Sequence, residues 1–299
     1  MVLCIALATG LASAQYLETT LQLSYGLSDM LWNPSNDHVY VSNWDKGTVT
    51  VIDGATNQIT AVIDVASDAG FLCLNPTAGR IYCTSGESDT LNVIDALGDT
   101  LIGSKRVRGY PCMMACSPLV NKLYVGCPDD CMVRVYDGTG TTLVAEITCG
   151  EWNTPRLLLW HPVSNRVFCV TGCDSQIDTV LVIDCSTDSV TTRIPVGSMP
   201  SSICVNPVND LVYVCSRYHV HALSPTGDSI IAVIPQPYDN STHICAVPFA
   251  NKMYVTRGNW VHVIDCDDHV VSESIATHSA SGIARPWPTE YSGCAGWQW

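Results

Sequence analysis

The sequence predicts an all-β protein built as a β-propeller of four-stranded antiparallel blades, and three observations carry this prediction. Short runs rich in β-branched and aromatic residues alternate with turn residues along nearly the whole chain. The pattern of these runs returns at spacings of 42, 42, 44, 45 and 41 residues. A repeat of that length with four short strands per unit is typical of propeller blades.

Residues 38–65 show the elements of one unit in order. Val39 to Val41 forms a β-branched and aromatic strand, and a polar break follows it. Thr48 to Asp53 alternates and ends in the triplet Val51-Ile52-Asp53, and Gly54 to Asn57 reads as a turn. Ile59 to Val65 makes the next run, so three strands separated by turns predict an antiparallel meander.

Three landmarks keep this unit in phase along the chain. The aromatic residue of its first run recurs as Tyr40, Tyr82, Tyr124, Phe168, Tyr213 and Tyr254. Upstream of each aromatic, another strand closes on a proline: Pro34, Pro76, Pro118, Pro162, Pro207 and Pro248. Downstream, the triplet ends in Asp53, Asp95, Asp137, Asp184 and Asp265, whereas the fifth copy has Ala222-Leu223-Ser224. The strands are almost continuously apolar because both faces of a blade are buried against its neighbours.

The landmark residues resemble a known family. Tyr40-Val41-Ser42-Asn43, Tyr254-Val255-Thr256 and the Val-Ile-Asp triplets are similar to the YVTN-type β-propeller repeat, a relative of the NHL and lactonase-like propellers. The resemblance covers roughly residues 20–290 and implies a seven-bladed, usually exported propeller. It implies no single activity, because one propeller fold hosts many functions.

The two ends of the chain complete the domain prediction. Residues 1–14 are apolar and end in Ala12-Ser13-Ala14, which predicts a signal peptide, and 15–299 then form one propeller domain. Tyr16 to Ser24 reads as a lone strand that closes the ring on the last blade. A seventh first strand is expected at Ile283 to Pro288, but the chain stops at Trp299. We therefore expect a seven-bladed type with six complete repeats and an incomplete or degenerate last blade.

Composition narrows the classes of partner. The net charge of −14 disfavours nucleic acids and anionic membranes, and the 47% apolar content is enough for a large core. An exported propeller would act outside the cell, at its surface or in the periplasm. No cofactor motif is present, so none is predicted. No nucleophile elbow, phosphate-binding loop or zinc-protease motif is present either, so the sequence favours a binding module over an enzyme.

The sixteen cysteines suggest disulfides at first sight in an exported chain. Their positions favour buried thiols, because several of them replace small apolar residues of the repeat. These residues are Cys73, Cys83, Cys169, Cys204 and Cys245. The better disulfide candidates are Cys127 with Cys131, and Cys169 or Cys173 with a neighbour.

The loops sort onto two faces of the ring. The loop into the first strand of a blade and the loop between its second and third strands emerge on one face, here called the upper face. The other two turns emerge on the lower face, where we expect small polar turn residues such as Ser35 to His38. The aspartates of the triplets belong to the lower face as turn-forming residues, which accept hydrogen bonds from nearby backbone N–H groups.

The upper loops differ from blade to blade and carry aromatic, acidic and basic residues, which are typical of recognition surfaces. The candidate binding residues are Trp44, Asp45, Glu87, Tyr110, Trp152, Arg156, Arg217, Tyr218, His243, Arg257 and Trp260. The alternative interpretation is that these loops are merely solvated, with a few packed tryptophans. The partner would be a protein, a glycan or a small ligand, and the chain could belong to a larger surface protein.

Two other kinds of site remain open. Arg156 and His243 would begin first strands near the central funnel, so a lactonase-like hydrolase or lyase is the alternative function. Metal sites are conceivable at Cys127 to Cys131, at His219 and His221, or among the upper aspartates. None of these groups has a complete set of metal ligands in the sequence, so no metal is predicted.

Overall fold

The computed structural model describes residues 19–172, 178–236 and 241–277. These residues form six four-stranded antiparallel sheets, and within each sheet neighbouring strands follow chain order. The predicted all-β propeller fold with six complete repeats is thereby confirmed. The predicted seventh first strand at Ile283 to Pro288 and the predicted signal peptide lie outside the described residues.

The strands of the first three blades are as follows. Blade 1 contains β1 (Leu27–Asn33), β2 (His38–Asn43), β3 (Thr48–Asp53) and β4 (Gln58–Asp64). Blade 2 contains β5 (Ala69–Asn75), β6 (Arg80–Ser85), β7 (Thr90–Asp95) and β8 (Thr100–Arg106). Blade 3 contains β9 (Met114–Ser117), β10 (Lys122–Cys127), β11 (Met132–Asp137) and β12 (Leu143–Thr148), with a short 3-10 turn at Pro128–Asp130.

The other three blades repeat the order. Blade 4 contains β13 (Thr154–His161), β14 (Arg166–Gly172), β15 (Asp178–Asp184) and β16 (Ser189–Gly197). Blade 5 contains β17 (Ser202–Asn206), β18 (Leu211–Cys215), β19 (His219–Leu223) and β20 (Ile230–Pro235). Blade 6 contains β21 (Ser241–Val247), β22 (Lys252–Arg257), β23 (Trp260–Asp265) and β24 (Val270–Ala276), with a 3-10 turn at Pro248–Ala250. Across these six blades no helix is long and apolar enough to span a bilayer.

The first strand of each blade lies at the centre of the ring. β1 packs on β5, β5 on β9, β9 on β13, β13 on β17, and β17 on β21. The cores lie between successive blades, where the second and third strands are buried on both faces. The fourth strands lie outermost and alternate between exposed and half-buried residues.

The landmark aromatic residue of blades 1 to 5 reaches into the next blade, where it contacts the turn between the third and fourth strands. The hydroxyl contacts are Tyr40 with Asp99, Tyr82 with the Gly138 carbonyl (2.6 Å), Tyr124 with Asp188 (2.8 Å) and Tyr213 with His269 (3.4 Å). Phe168 has no hydroxyl, and its ring lies where a Cβ at Gly227 would come within 3.0 Å. The landmark therefore couples one blade to the next.

The residue before the landmark proline of blades 2 to 5 makes a second link, on the lower face. Its side chain contacts the turn between the first two strands of the next blade, at a residue in the left-handed conformation that Asn and Asp adopt readily. The pairs are Asn75 with Asn121 (3.0 Å), Ser117 with Asn165 (2.6 Å), His161 with the Asp210 carbonyl (2.8 Å) and Asn206 with Asn251 (2.8 Å). We call this series the collar.

The aspartates of the triplets act as predicted. Asp53 accepts bonds of 2.7 Å from the backbone N–H and the hydroxyl of Thr56, and Asp184 and Asp265 accept N–H bonds in the same turn. The Thr56 hydroxyl and N–H also lower the pKa of Asp53. In the fifth copy Ser224 replaces the aspartate, and its hydroxyl accepts the N–H of Asp228 at 3.1 Å.

The predicted Cys127–Cys131 disulfide is wrong, because both residues carry reduced thiols. Cys127 ends β10 with its side chain in the core between blades 2 and 3, whereas Cys131 is half-buried in the loop that follows. Cys169 is also a reduced, buried thiol, and Cys173 lies outside the described residues. The other predicted thiols are buried as expected, and Cys73 Sγ lies 3.0 Å from Cys116 Sγ in the next blade.

The predicted lone strand at Tyr16 to Ser24 is also corrected over its described part. Residues 19–24 form no strand. Leu21 and Leu23 pack instead against Val39, Val41 and Ile52 on the face of blade 1 that points away from blade 2. Apolar contact holds this segment, because burial of side chains needs no strand partner.

Candidate functional site

Backbone hydrogen bonds show that the two kinds of upper loop share one face. Asp68 N–H donates to the Trp44 carbonyl at 3.1 Å, and Arg217 N–H donates to the Ser198 carbonyl at 2.9 Å. The first bond joins the loop after β2 to the loop that enters β5, and the second joins the loop after β18 to the loop that enters β17. The candidate residues in these loops therefore lie on the same face of the ring.

The first strands of blades 1, 2, 4 and 6 begin with an irregularity in their pairing to the second strand. In β13 it falls between Pro155 and Leu157, so that Arg156 is bulged out of the register with β14. Such bulges aim a side chain in a new direction. The hydroxyl of the YVTN-like motif supports them: Ser42 accepts the Asp29 N–H at 3.0 Å, and Thr84 accepts the Phe71 N–H at 3.2 Å.

The starts of the first strands of blades 2 to 6 line a cavity of about 510 Å³ at the centre of the upper face. Its inner lining comes from the positions five and six residues before the landmark proline in blades 2 to 6. These residues are Phe71, Cys112, Met113, Arg156, Leu157, Ser201 and His243. Tyr110, Pro128 and Asp129 close one side. The structure thus brings together two predicted residues, Arg156 and His243, that are far apart in sequence.

Gly172 gives Arg156 its position. A Cβ at Gly172 would lie 2.5 Å from Arg156 Nε and 2.8 Å from its Cδ, so the arginine side chain crosses the end of β14 where only glycine leaves room. Thr154 Oγ1 donates to the Gly172 carbonyl at 2.7 Å and ties the two strands together beside it.

Tyr110 lies at the cavity mouth, close to several carboxylates. Its N–H donates to the Asp89 carboxylate at 3.2 Å, and its ring lies where a Cβ at Gly86 would come within 2.9 Å. Burial raises the pKa of Tyr110, and the Glu87 and Asp68 carboxylates raise it further, so its hydroxyl stays protonated at neutral pH. The cavity lining therefore combines carboxylates near Tyr110 with the basic side chains of Arg156 and His243.

The remaining candidates lie away from this cavity, in loops farther out on the upper face. Trp44, Trp152, Tyr218 and Trp260 are exposed there, and Arg217 lies over the Tyr218 ring at 5.3 Å. Asp45 and Glu87 occupy the loops after β2 and β6. The structure spreads these residues around the rim and does not gather them into one patch.

Arg257 differs from the expectation of an exposed binding residue. Its side chain is only 1% exposed, and its guanidinium donates to the Arg217 carbonyl. It supports the neighbouring upper loop from below, because β22 ends beneath that loop and directs the side chain inward.

Sequence reasoning missed Phe71, Met113 and Leu157, which supply the apolar wall of the cavity. A signal was present, since all three stand five residues before a landmark proline. That position reads as an ordinary core residue of a strand until the ring places its copies around one axis.

The metal candidates find little support in the described part of the chain, where no three His, Cys, Asp or Glu side chains are arranged to hold an ion. The rings of His219 and His221 have their centroids 5.8 Å apart. Burial lowers the pKa of His221 to about 4, and the neighbouring His219 lowers it too.

Comparisons with known proteins agree on the fold. No family model matches the chain, and no curated protein matches its sequence. Among solved structures, Kuenenia stuttgartiensis hydrazine synthase is similar with a TM-score of 0.69 and 18% identity, covering 84% of this chain and 80% of that one. A functionally unknown protein from Desulfotomaculum acetoxidans DSM 771 has a TM-score of 0.67 and 14% identity, covering 86% and 87%. At these identities the likeness shows the propeller fold alone.

Proposed function

We propose that this protein is a β-propeller binding module that holds a small organic acid at the centre of its upper face. The observation that carries the proposal is the cavity of about 510 Å³ that Arg156 and His243 line together with apolar side chains. Ligand sites usually have volumes of about 300–1,000 Å³, with mostly apolar walls and a few polar groups.

The residues of the cavity indicate the chemistry of the ligand. A guanidinium binds a carboxylate through two parallel hydrogen bonds, so Arg156 selects an acid. His243 offers a further ring nitrogen to the same group. Phe71, Met113 and Leu157 would take up the carbon skeleton of the ligand.

The rim of exposed aromatic residues supports a larger partner as well. Trp44, Trp152, Trp260 and Tyr218 lie farther out on the same face and offer stacking surfaces to a glycan or a protein that carries the acid. The setting that we propose, outside the cell, at its surface or in the periplasm, rests on the apolar leader sequence.

The test is titration calorimetry with succinate, citrate, benzoate and phenylacetate, each paired with its amide. An acid that binds the wild type should lose at least about tenfold in affinity for R156Q, which keeps the size of the side chain but removes its charge. The paired amides should not bind. Failure of all four acids to bind, or unchanged affinity in R156Q, would contradict the proposal.

Gly172→Ala provides a second test that leaves every charge in place. The added methyl group meets Arg156 Nε at 2.5 Å and should displace the guanidinium, so acid affinity should fall as it does for R156Q. Gly103→Ala is the matched control, because its Cβ meets nothing within 4 Å. If Gly172→Ala binds acids as tightly as Gly103→Ala does, Arg156 is not the anchor.

The presence of Arg156 and His243 in one cavity favours one alternative function, a lactonase-like hydrolase or lyase. The arginine would polarise a bound carbonyl and the imidazole would accept a proton. A panel of lactones and esters assayed with the wild type and with His243→Ala decides this. Turnover that survives the substitution would remove the hydrolase from consideration.

A further inference from the structure

The lower face carries a series of exposed apolar residues that the sequence pattern led us to expect as small and polar. They occupy the position directly after the landmark proline in four successive blades. The residues are Leu119 (66% exposed), Val163 (64%), Val208 (53%) and Phe249 (89%). Blades 1 and 2 have Ser35 and Thr77 at this position. We call the four residues the apolar arc.

The collar holds these residues side by side. Leu119, Val163, Val208 and Phe249 lie in the turns between the first and second strands, and the collar bonds join each of these turns to the preceding blade. The joining distances are 3.0, 2.6, 2.8 and 2.8 Å for blades 3, 4, 5 and 6. Because these bonds hold the turns of successive blades on one face, the four apolar side chains follow one another along the lower face on a rigid frame.

Acidic residues border this arc. The carboxylates in the lower turns and at the strand ends beside them are Asp37, Asp53, Asp95, Asp99, Asp137, Asp184, Asp188, Asp210, Asp228, Asp265, Asp267 and Asp268. The lysines and arginines at the strand ends beside these lower turns are Arg80, Lys122, Arg166 and Lys252. Two of these are already occupied, since Lys122 pairs with Asp188 at 2.6 Å and Arg80 with Asp95 at 3.7 Å. The lower face therefore carries much of the net negative charge of the chain.

We propose that the lower face is a docking surface for a basic amphipathic peptide segment of a partner protein. The apolar side of the segment would cover the arc, and its lysines or arginines would face the surrounding aspartates. Charge decides among the possible occupants. A second copy of this chain would bring an equally acidic face against the first, and an anionic membrane or a nucleic acid would be repelled.

The test measures fluorescence anisotropy of a labelled leucine–lysine peptide patterned as an amphipathic helix. The wild type should bind it, and a peptide with serine in place of leucine should bind at least about tenfold more weakly. The quadruple variant L119S/V163S/V208S/F249S should lose at least about tenfold in affinity for the leucine–lysine peptide. Its melting temperature should stay near that of the wild type, because the four side chains are exposed.

The matched control is V62S/I102S/V144S/I231S. It removes four exposed apolar side chains from the outer strands β4, β8, β12 and β20 and leaves the net charge unchanged. This control should bind the peptide as the wild type does. Equal losses in both variants would show adsorption to apolar surface in general and would overturn the proposal, as would full affinity in the arc variant.

Ionic strength and self-association complete the experiment. Affinity should fall between 0.05 and 0.5 M NaCl, at roughly the rate expected when exposed charges are screened. If sedimentation shows a dimer that the arc substitutions dissociate, the occupant is a second copy and the peptide proposal fails. The acid-binding proposal concerns the other face, so the arc variant should bind acids normally.

Discussion

The landmark tyrosine is the residue that couples one blade to the next. Its ring is buried in the core, and its hydroxyl reaches a turn of the following blade. Burial raises the pKa of Tyr124, and the hydrogen bond to Asp188 raises it further, so the phenol remains a donor at any physiological pH. One side chain thus provides both apolar packing and a bond across the blade interface.

Tyr124→Phe tests this role. The substitution keeps the packing but leaves the Asp188 carboxylate without its 2.8 Å donor, so the free energy of unfolding should fall by about 1–3 kcal/mol. Urea titration followed by tryptophan fluorescence measures it. Tyr254→Phe is the matched control, because Tyr254 is half-buried and has no hydroxyl partner among the described residues, and its stability should change little. Equal losses in the two variants would contradict a bond-specific effect.

At this scale the sequence predicts local interactions well and distant ones poorly. Asp53 and its equivalents bond within their own turns, so spacing alone indicated their role. Cys127 and Cys131 are close in the chain, but the end of a buried strand separates their environments. Arg257 reads as a loop residue, and only the path of β22 shows that it points inward.

At the scale of elements, strand β19 places His219 and His221 on one side, and burial keeps His221 neutral. The folded pKa of about 4 lies below the ordinary value of 6.5, so between these pH values the unfolded chain takes up a proton that the folded chain refuses. Stability should therefore fall as the pH decreases through this window. His221 should account for roughly 2–3 kcal/mol of this loss in the free energy of unfolding.

His221→Asn tests the effect with a side chain that does not titrate. The loss of stability between pH 7 and pH 4.5, measured by urea unfolding at each pH, should be smaller in the variant than in the wild type. His161 and His262 also have lowered pKa values because they are buried, so some of the loss should remain. An identical loss in the two proteins would show that His221 does not carry this dependence.

Strands and turns were largely predictable because their signals lie within a few residues. The alternation of β3, the proline after each first strand and the triplets gave the order of elements. The bulge at the start of β13 carries no such signal, although it directs Arg156 into the cavity. Register shifts depend on what packs beside the strand, and that information lies in other blades.

At the scale of the whole molecule, charge is distributed unevenly between the two faces. The upper face mixes acids with bases such as Arg156 and Arg217, whereas the lower face is mainly acidic. We expected an acidic and aromatic upper face. The aspartates of the lower turns instead make the lower face the more acidic of the two. Mutual repulsion among these carboxylates opposes folding at low salt.

Screening should therefore stabilise the protein. The melting temperature should rise by a few degrees between 0.02 and 0.3 M NaCl, as the distance over which charges act shrinks from about 20 Å to about 6 Å. The variant D210N/D268N removes two lower-face charges, so it should show a smaller rise. Differential scanning fluorimetry measures both. A melting temperature that does not change with salt, or equal rises in the two proteins, would contradict this account.

The sequence by itself determined the repeat, the strand order and the role of the turn aspartates, because periodicity and turn chemistry act over a few residues. Only the tertiary structure decided which copies of each position meet. Phe71, Arg156 and His243 share one cavity, and Leu119 and Phe249 share one arc, because a ring brings equivalent positions of different blades around a single axis. The distance between two residues along the chain does not indicate whether the ring places them side by side.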